Sequence, residues 1–278
     1  MVSRSKVSPE VAVEPRPFLK WVGGKRQLVE TLLDHVPGLG KHTYHEPFVG
    51  GGALFFALRP AKAVLSDDNA RLVRTYVGVR DHVDAVVKLL RSYPHDPAFF
   101  QKMRERDIDS ADDAHVAAWM IYLNKTGYNG LYRVNSRNVF NVPFGRYANP
   151  TICDEPNLRA CSAALQGVEI LRDDFTSVLE RAHKGDFVYF DPPYVPLSAT
   201  SYFTGYTADG FGPERQVHLR DVALKLKGKG VHVLLSNSSA GFVREIYSQG
   251  FELEEVHAAR NVNCRGDGRG RILELVMW

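Results

Sequence analysis

A carboxylate, two prolines and a tyrosine stand in sequence at 191–194, directly after the apolar run 187–190. Proline restricts the backbone around it but keeps a carbonyl oxygen that can accept a hydrogen bond. We therefore expect the Asp191 carboxylate and the Pro192 carbonyl to form two acceptors in a stiff geometry, which suits the two N–H bonds of an exocyclic amino group. The ring of Tyr194 offers a flat face for stacking a base, a contact worth ~1–3 kcal/mol.

Such a grip predicts methyl transfer to a base nitrogen. With both N–H bonds held, the nitrogen lone pair turns toward an electrophile, and the site stabilises the charge that develops on the nitrogen. Asp191 need not remove a proton first, because the amine becomes far more acidic once it has been methylated. A plain Pro-Pro turn with an exposed tyrosine is the alternative. Its place after an apolar strand, where α/β sheets bind ligands, disfavours that alternative.

A glycine-rich turn, Glu-Pro-Phe-Val-Gly-Gly-Gly at 46–52, is the second candidate. Glycines let a ligand approach the backbone closely, and the helix that follows favours an anionic group at its N-terminus. Asp67, at the end of the next strand, can accept hydrogen bonds from a ribose diol. These features indicate a nucleoside-containing cofactor, with a purely structural turn as the alternative. A dinucleotide site is disfavoured, since the bulky Phe55 stands where its third glycine would be.

Alternating strands and helices must position these residues. We predict helices over 28–35 and 53–58, and a third that begins after Asn69 as its N-cap. Strands at 43–48 and 63–65 alternate with them, which is typical of a parallel α/β sheet. Further strands are predicted at 168–171, 187–190, 231–235, 251–256 and 272–277, the last two forming an antiparallel edge. Ser236, Asn237 and Ser238 are expected to cap the helix after their strand, and a polar role beside the base is the alternative.

The pattern changes between 80 and 161. Residues 83–90 and 114–123 have helical periodicity, whereas 124–147 is rich in turn residues, with Asn-Gly at 129–130. We interpret this region as an inserted, mainly helical subdomain that carries one hairpin or loop.

The turn-rich segment 124–147 contains four cations and no acid. Cations suit phosphates and guanine edges, and an aromatic or apolar side chain can wedge into a base stack. The segment therefore predicts a nucleic-acid surface, with a solvated loop over buried aromatics as the alternative. A second basic cluster, at Arg260, Arg265, Arg269 and Arg271, either contacts phosphates or is a solvated loop. The cations of the first segment are Lys125, Arg133, Arg137 and Arg146, and its aromatics are Tyr128, Tyr132, Phe140, Phe144 and Tyr147.

The totals describe an ordinary globular chain of 278 residues, 44% hydrophobic and 24% charged, with a net charge of +3. No apolar run approaches the ~20 residues of a membrane span, and the polar residues 1–16 lack the apolar stretch of a signal peptide. Cys153, Cys161 and Cys264 form no Cys-x-x-Cys pair, so neither a disulfide framework nor a metal site is predicted. Reduced thiols fit a cytoplasmic protein.

With these motifs placed, the sequence resembles the DNA adenine methylase (Dam) family, the D12 class of N6-adenine DNA methyltransferases, from residue 18 to near residue 278. Several separate motifs occur in the family's order, which is far more specific than any one of them. They are Phe-Leu-Lys-Trp-Val-Gly-Gly-Lys at 18–25, the glycine turn at 46–52, Ser-Asp-Asp-Asn at 66–69, the run 124–135, the run 140–147, Asp-Phe at 174–175, and Asp-Pro-Pro-Tyr at 191–194.

The resemblance implies an α/β fold: a seven-stranded, Rossmann-like, S-adenosylmethionine-dependent methyltransferase sheet with an inserted helical target-recognition domain. Residues 1–16 would be a flexible tail, 17–79 and 163–278 the catalytic domain, and 80–162 the recognition domain. The implied cofactor is S-adenosylmethionine, with S-adenosylhomocysteine as product and no metal. By matching positions, the cofactor would be bound by Trp21, Lys25, Phe48, Gly50, Gly52, Asp67, Asp174, Phe175 and Asp191, and the target base by Asp191, Pro192 and Tyr194.

For the duplex, the resemblance implies that Arg133 contacts a guanine and that Tyr128 inserts where the base flips out. Leu131 and Pro143 would touch neighbouring pairs, and Lys20 and Tyr147 the outer pair of a GATC site. The segment 136–139 departs from the family, which often has a glycine there. The implied DNA-binding set is Lys20, Tyr128, Asn129, Leu131, Arg133, Asn135, Arg137, Pro143 and Tyr147.

The sequence thus predicts a site-specific transferase that methylates N6 of a flipped adenine in double-stranded DNA. Alternatives are a cytosine-N4 or RNA methyltransferase on the same fold, and a DNA-binding module without catalysis. Cytosine-N4 enzymes more often have Ser where Asp191 stands. We expect a monomer in the cytoplasm, at the nucleoid, with no membrane partner; a companion restriction endonuclease, as in restriction-modification, stays open.

Overall fold

The computed structural model describes residues 13–21, 23, 25, 27–195, 211–259 and 271–278. Its centre is a seven-stranded sheet in the order β3-β2-β1-β4-β5-β7-β6. Strands β1 to β5 pair in parallel, whereas β7 runs antiparallel to both β5 and β6. The strands are β1 (Tyr44–Glu46), β2 (Ala63–Asp67), β3 (Glu169–Arg172), β4 (Phe187–Phe190), β5 (His232–Ser238), β6 (Leu253–Ala259) and β7 (Arg271–Met277).

Helices cover both faces of this sheet. Strand β4 illustrates why: Phe187 and Tyr189 pack into one hydrophobic cluster, while Val188 and Phe190 pack into another on the opposite face. The described helices are α1 (Val29–Asp34), α2 (Ala53–Leu58), α3 (Ala70–Asp81), α4 (Val83–Ser92), α5 (Pro97–Glu105), α6 (Asp113–Thr126), α7 (Glu155–Ala164), α8 (Val178–Arg181), α9 (Pro213–Gly228) and α10 (Gly241–Tyr247).

The helical region after α3 shares its core with the sheet. Leu72 and Tyr76 of α3 belong to the same buried cluster as Trp119 and Leu123 of α6. Helix α6 is buried around nearly its whole circumference, which is typical of a helix in the interior of a fold. The segment that follows α6 is therefore attached to the sheet through this common core.

Strand order also fixes where a ligand can bind. From β1 the chain proceeds outward through β2 and β3, whereas β4 pairs on the other side of β1. The crevice between β1 and β4 is thus a topological switch point, and open α/β sheets bind ligands beyond the carboxyl ends of strands at such a point.

The seven-stranded α/β sheet and its antiparallel edge are confirmed, and Asn69 caps α3 by accepting from the N–H groups of Arg71 and Leu72. Helix α2 and strand β4 have the predicted bounds. The helices α5, α7, α8 and α9 were not predicted. The segment 1–12, Arg260, Arg265, Arg269 and Cys264 lie outside the described residues, as do the side-chain contacts of Arg271.

One local prediction is wrong. Ser236, Asn237 and Ser238 do not cap a helix; they continue β5, because each pairs with a residue of β7. Helix α10 begins after Ala240, which makes no side-chain cap. The turn-rich segment also starts later than predicted, since 124–126 form the last turn of α6.

Candidate active site

Two motifs far apart in sequence meet at the switch point. Strands β1 and β4 are hydrogen-bonded neighbours, so the glycine turn 50–52 and the turn 191–194 leave the sheet side by side. The segment before α1 touches both. The indole of Trp21 packs so closely on Gly50 that a Cβ there would lie 2.7 Å from Trp21 Cδ1, and Lys25 reaches Asp191.

Asp191 is held by two groups on one oxygen. Lys25 Nζ lies 2.8 Å from Asp191 Oδ1, and Ser236 Oγ donates to the same oxygen at 2.9 Å. Neither of these two bonds uses Oδ2. Burial raises the pKa of Asp191, and the attraction of Lys25 and the hydrogen bond from Ser236 only partly oppose it. The carboxylate is therefore oriented, with one oxygen turned away from its two internal donors.

Tyr194 is fixed at both its hydroxyl and its ring. Its hydroxyl donates to Glu274 Oε2 at 2.6 Å, and the Lys25 ammonium lies 4.2 Å from the ring centroid. Burial, followed by the negative charges of Asp191 and Glu274, raises the pKa of Tyr194 well above 10. The phenol thus stays protonated at neutral pH and acts as the donor.

Buried polar side chains support the backbone of this turn. Gln216 of α9 donates to the Pro193 carbonyl at 2.9 Å, and Asn237 in turn donates to Gln216 at 3.0 Å. Val195 is bound from both sides: its N–H donates to Asn237 at 3.4 Å and its carbonyl accepts from Ser238 at 2.6 Å. A network whose polar groups are paired inside the protein makes its backbone rigid.

The glycine turn has a backbone that needs glycine. Gly50 and Gly52 have φ of 46° and 65°, in the left-handed region that residues with a Cβ rarely adopt. Tyr76 donates to the Gly50 carbonyl at 3.0 Å. The Gly50 N–H donates to Asp67 at 3.3 Å, which ties this turn to the end of β2. Burial raises the pKa of Asp67 to about 7, although the N–H groups of Asn69 and Gly50 oppose the shift.

An aromatic and charged cluster lies beside that turn. Phe48 stacks on Phe175 with ring centroids 5.5 Å apart, and Phe175 is only 2% exposed. Burial tends to raise the pKa of Asp174, but the bond from Arg215, at 2.5 Å, and the Thr176 N–H lower it overall. The Arg215 guanidinium also lies 4.8 Å from the Phe175 ring. Arg215 was not predicted, because it belongs to none of the motifs.

The basic, aromatic loop 127–147 is attached to this site by stacking and by one buried amide. Trp21 stacks on Tyr132 at 5.8 Å. The Asn124 side chain accepts from the Lys20 N–H at 2.8 Å and donates to the carbonyls of Lys20 and Gly130 at 2.7 and 2.8 Å. These contacts join segment 18–21 to the base of the loop.

The loop has the predicted hairpin character. Antiparallel bridges join Gly127 to Phe144 and Val134 to Phe140. At the tip, Asn138 has φ of 57°. Asparagine tolerates this left-handed conformation, which explains how segment 136–139 turns where the family often has a glycine.

Several predicted DNA-binding residues face solvent on this loop. Tyr128 is 37% exposed, and Arg133 donates through Nε to Asn141 at 2.8 Å. Asn135 accepts from the Arg137 N–H at 2.9 Å, and the Lys20 ammonium lies 4.6 Å from the Tyr147 ring.

The remaining predicted DNA-binding residues differ in conformation and exposure. Asn129 has φ of 54°. Leu131 is half-buried and Pro143 is exposed.

Arg71 anchors the tip of the loop from α3. It makes two bonds of 2.7 Å to Asp109 and donates to the Asn138 carbonyl at 2.8 Å. It is only 8% exposed and lies 5.3 Å from the Trp119 ring. A planar guanidinium suits such a two-pronged bond. Arg71 was not predicted, because its partners lie 38 and 67 residues away along the chain.

Within the described ranges, no group of three or more His, Cys, Asp or Glu could hold a metal ion, and no helix is long and apolar enough to cross a membrane. Cys153 and Cys161 are free thiols. Burial raises the pKa of the Cys161 thiol to about 12, so it stays protonated and unreactive.

The chain is similar to a known protein family and to several known proteins over most of its length. A family model for D12 class N6 adenine-specific DNA methyltransferases matches residues 21–262. The chain is 42% identical to a Type II methyltransferase, M1.LlaDCHI, of Lactococcus lactis subsp. cremoris, over 94% of each chain. It is 41% identical to the Type II methyltransferase M.MjaIII of Methanocaldococcus jannaschii, over 92% of this chain and 96% of that one. It is also 35% identical to the DNA adenine methylase of Escherichia coli K12, over 94% of each chain.

Proposed function

Because the chain belongs to the D12 class of N6 adenine-specific DNA methyltransferases, we propose that Asp191, Pro192 and Tyr194 hold the target adenine while its N6 is methylated. The chain is an adenine-specific DNA methyltransferase. The observation that carries the residue assignment is the meeting of the turns 50–52 and 191–194 at the switch point, with Lys25 bonded to Asp191 at 2.8 Å.

The glycine turn side of the crevice fits a nucleoside-containing cofactor. Methyltransferases of this family use S-adenosylmethionine, which supplies a methyl group on a sulfonium and leaves as S-adenosylhomocysteine. Gly50 and Gly52 keep the backbone free of side chains there. Asp67, whose pKa burial raises to about 7, suits the donating hydroxyls of a ribose. We assign Trp21, Lys25, Phe48, Asp174 and Phe175 to the rest of this pocket, as the family resemblance implies.

Target binding follows from the geometry of Asp191. Its Oδ1 takes the bonds from Lys25 and Ser236, so Oδ2 can accept one N–H of the adenine amino group. The Pro192 carbonyl accepts the other. Lys25 covers one face of the Tyr194 ring, and the base stacks on the opposite face. The amino nitrogen is then held with its lone pair free for in-line attack.

The transfer balances without a metal. Bound S-adenosylmethionine would supply an electrophilic methyl group, and the new bond from N6 would replace the bond from that carbon to sulfur. N6 becomes positive at this point, and the carboxylate of Asp191 and the dipole of the Pro192 carbonyl stabilise that charge. N6 then loses one proton. Asp191, whose pKa burial raises, is the nearest acceptor for it.

Sequence readout is assigned to the loop 127–147 with Lys20, and we propose GATC as its site. Arg133 would read a guanine edge, since a guanidinium can donate to O6 and N7 together. Tyr128, exposed at the side of the loop, would fill the space left by the flipped adenine. The base pairs beside the flipped adenine would be contacted by Leu131, Pro143 and Tyr147. The DNA backbone would be contacted by Asn129, Asn135 and Arg137.

We further propose a restriction-modification setting at the nucleoid. The Type II relatives are 41 and 42% identical to the chain, whereas the DNA adenine methylases are 33 to 35% identical. A companion endonuclease would then cut the same site when it is unmethylated. DNA from cells that express this chain should resist that endonuclease.

The test is expression in a host that lacks DNA methylation, followed by mapping of modified bases. We expect N6-methyladenine in one short motif, and none in cells that express Asp191→Ala. Wild-type levels in Asp191→Ala would overturn the assignment of the target-binding turn. Methylation at a motif other than GATC would overturn the proposed site and leave the turn untouched.

A further inference from the structure

The strand β7 contributes a carboxylate to the site that no motif predicted. Glu274 pairs in register with Ser238 of β5, two residues after Ser236, which binds Asp191. Its carboxylate therefore emerges at the ligand-binding edge of the sheet, although it is 80 residues from Tyr194 along the chain.

The contact with Tyr194 is short and directional. The 2.6 Å separation between Tyr194 Oη and Glu274 Oε2 lies in the range of charge-assisted hydrogen bonds between a hydroxyl and a carboxylate. A phenol that is free to move would allow its ring to tilt. Bound at both the hydroxyl and the backbone, the ring of Tyr194 keeps one plane.

The same carboxylate also faces Lys25. The Lys25 ammonium is 3% exposed and lies 2.8 Å from Asp191 and 4.0 Å from Glu274. Glu274 thus places a second negative charge beside an ammonium that Asp191 already contacts. With Glu274 absent, Lys25 would keep Asp191 as its partner but would lose the carboxylate that faces it from β7.

We propose that Glu274 is a positioning residue for methyl transfer: it fixes the Tyr194 ring through its hydroxyl and, with Asp191, brackets the Lys25 ammonium. This inference rests on the proposed function, in which Tyr194 stacks on the target adenine and Asp191 accepts its amino group. Glu274 itself touches neither the base nor the methyl group.

A double-mutant cycle tests the proposal with the full chain, S-adenosylmethionine and an unmethylated duplex that contains the recognition motif. The variants are Glu274→Ala, Glu274→Gln, Tyr194→Phe, and Tyr194→Phe combined with Glu274→Ala. We expect Glu274→Ala to lower the single-turnover rate by about 10-fold to 100-fold. Glu274→Gln, whose amide oxygen can still accept from Tyr194, should lose less. In the Tyr194→Phe background the effect of Glu274→Ala should shrink, because the shared hydrogen bond is already gone.

A second readout separates positioning from folding. With 2-aminopurine at the target position, fluorescence reports how the flipped base stacks, and Glu274→Ala should change it while the melting temperature stays near that of wild type. Glu255→Gln is the matched control, since this carboxylate of β6 is paired with Arg244 at 2.7 Å; its rate should equal that of wild type.

An undiminished effect of Glu274→Ala in the Tyr194→Phe background would overturn the proposal, as would a wild-type rate for Glu274→Ala. If Glu274→Ala does not fold, Glu274→Gln replaces it in the cycle. An undiminished effect of Glu274→Gln in the Tyr194→Phe background then overturns the proposal. If the proposal for Glu274 fails, Asp191→Ala is still inactive and wild type still methylates the same motif. That outcome is therefore distinct from a failure of the proposed function.

Discussion

The turn 191–194 and the loop 127–147 serve the same proposed reaction but are held in different ways. At the turn, two side chains that are 0% exposed hold the backbone: Gln216 donates to the Pro193 carbonyl, and Asn237 donates to Gln216 and accepts from the N–H of Val195, the next residue. Around the loop, two antiparallel bridges join the arms, and the tip carries exposed side chains such as Val139, at 40%.

The difference matches what each region has to do. Stabilising a charge that exists only during the reaction requires groups that are already oriented before the substrate arrives. Reading a duplex requires side chains that can rearrange on contact, and interface rotamers commonly do so. Arg133 illustrates the second case: it bonds to Asn141, and in the proposed readout its guanidinium would turn to meet a base. The turn 191–194 is held by buried side chains, whereas the loop is anchored mainly at its base and by Arg71.

The sharpest way to break this comparison is to change the charge of the rigid turn without changing its shape. Asp191→Asn keeps the size of the side chain but removes the negative charge. We expect the single-turnover rate to fall by about 10²–10³-fold, while isothermal titration shows S-adenosylmethionine binding largely kept. Asp221→Asn, an exposed carboxylate paired with Arg220 on α9, is the control. Near-normal rates for Asp191→Asn would mean that orientation alone, without charge, is enough.

Two arginines of the loop sharpen the contrast from the other side. Arg133→Ala should lower the rate at the cognate motif by about 10-fold to 100-fold and relax selectivity at one guanine. Arg137→Ala should weaken binding by a similar factor for all sequences and reduce the salt slope by about 1. Rates on a panel of single-substituted duplexes, and binding at several salt concentrations, check both. Equal loss of selectivity in the two variants would contradict the division of roles.

A smaller effect is expected when one support of the rigid turn is removed. Ser236→Ala takes one of the two donors from Asp191 Oδ1 and also frees the Tyr189 hydroxyl. We expect the rate to fall by about 3-fold to 10-fold, with unchanged affinity for the duplex. Ser248→Ala, at an exposed helix end, serves as the control in the same kinetic assay. An unchanged rate, or a changed affinity for the duplex, in Ser236→Ala would contradict this expectation.

The smallest expected effect is on stability. It depends on pH through Glu46 at the end of β1, beside the glycine turn, and not through the loop 127–147. Burial raises the pKa of Glu46 from 4.5 to about 8, and the bond from Tyr44 opposes this only in part. The folded state thus holds this proton more tightly than the unfolded chain, so its contribution is full below pH 4.5 and is lost as the pH rises through about 8.

Between pH 6 and pH 9 the melting temperature of wild type should therefore fall by about 5 °C more than that of Glu46→Gln, since 1 kcal/mol moves Tm by roughly 2–4 °C in a chain of this size. The loop 127–147 has no carboxylate and should add nothing to this difference. Parallel curves for the two proteins would show that Glu46 ionises normally. Calorimetry at matched ionic strength makes the measurement.

The parts of the molecule that could be predicted from sequence patterns are those whose conformation depends on neighbouring residues in the chain. Glycines at 50–52 and the proline pair at 192–193 each constrain their own backbone, so their places at strand ends could be predicted. Helix α9 was missed although Leu219, Val222 and Leu226 recur at helical spacing and are buried. Asp96 and Asp154 likewise cap α5 and α7, signals that were present in the sequence and were not used.

Contacts between distant side chains could not be predicted in the same way. Nothing near Glu274 in the sequence indicates that its carboxylate will meet Tyr194, because that meeting depends on β7 inserting beside β5. The misplacement of Ser236 to Ser238 has the same cause: a strand continues as long as a partner strand is there to bond with it, and β7 is the partner. The roles of the cofactor and DNA residues remain predictions until the experiments above are done.

Strand β7 is translated after β6, yet it lies between β5 and β6 in the sheet. While the chain is still emerging from the ribosome, β6 has no neighbour to pair with and the Tyr194 hydroxyl has no acceptor. Domains can begin to fold during synthesis, but here the catalytic edge is completed only when residue 274 has been added. A copy that ends before β7 therefore lacks both the strand that joins β6 to β5 and the carboxylate that holds the Tyr194 hydroxyl.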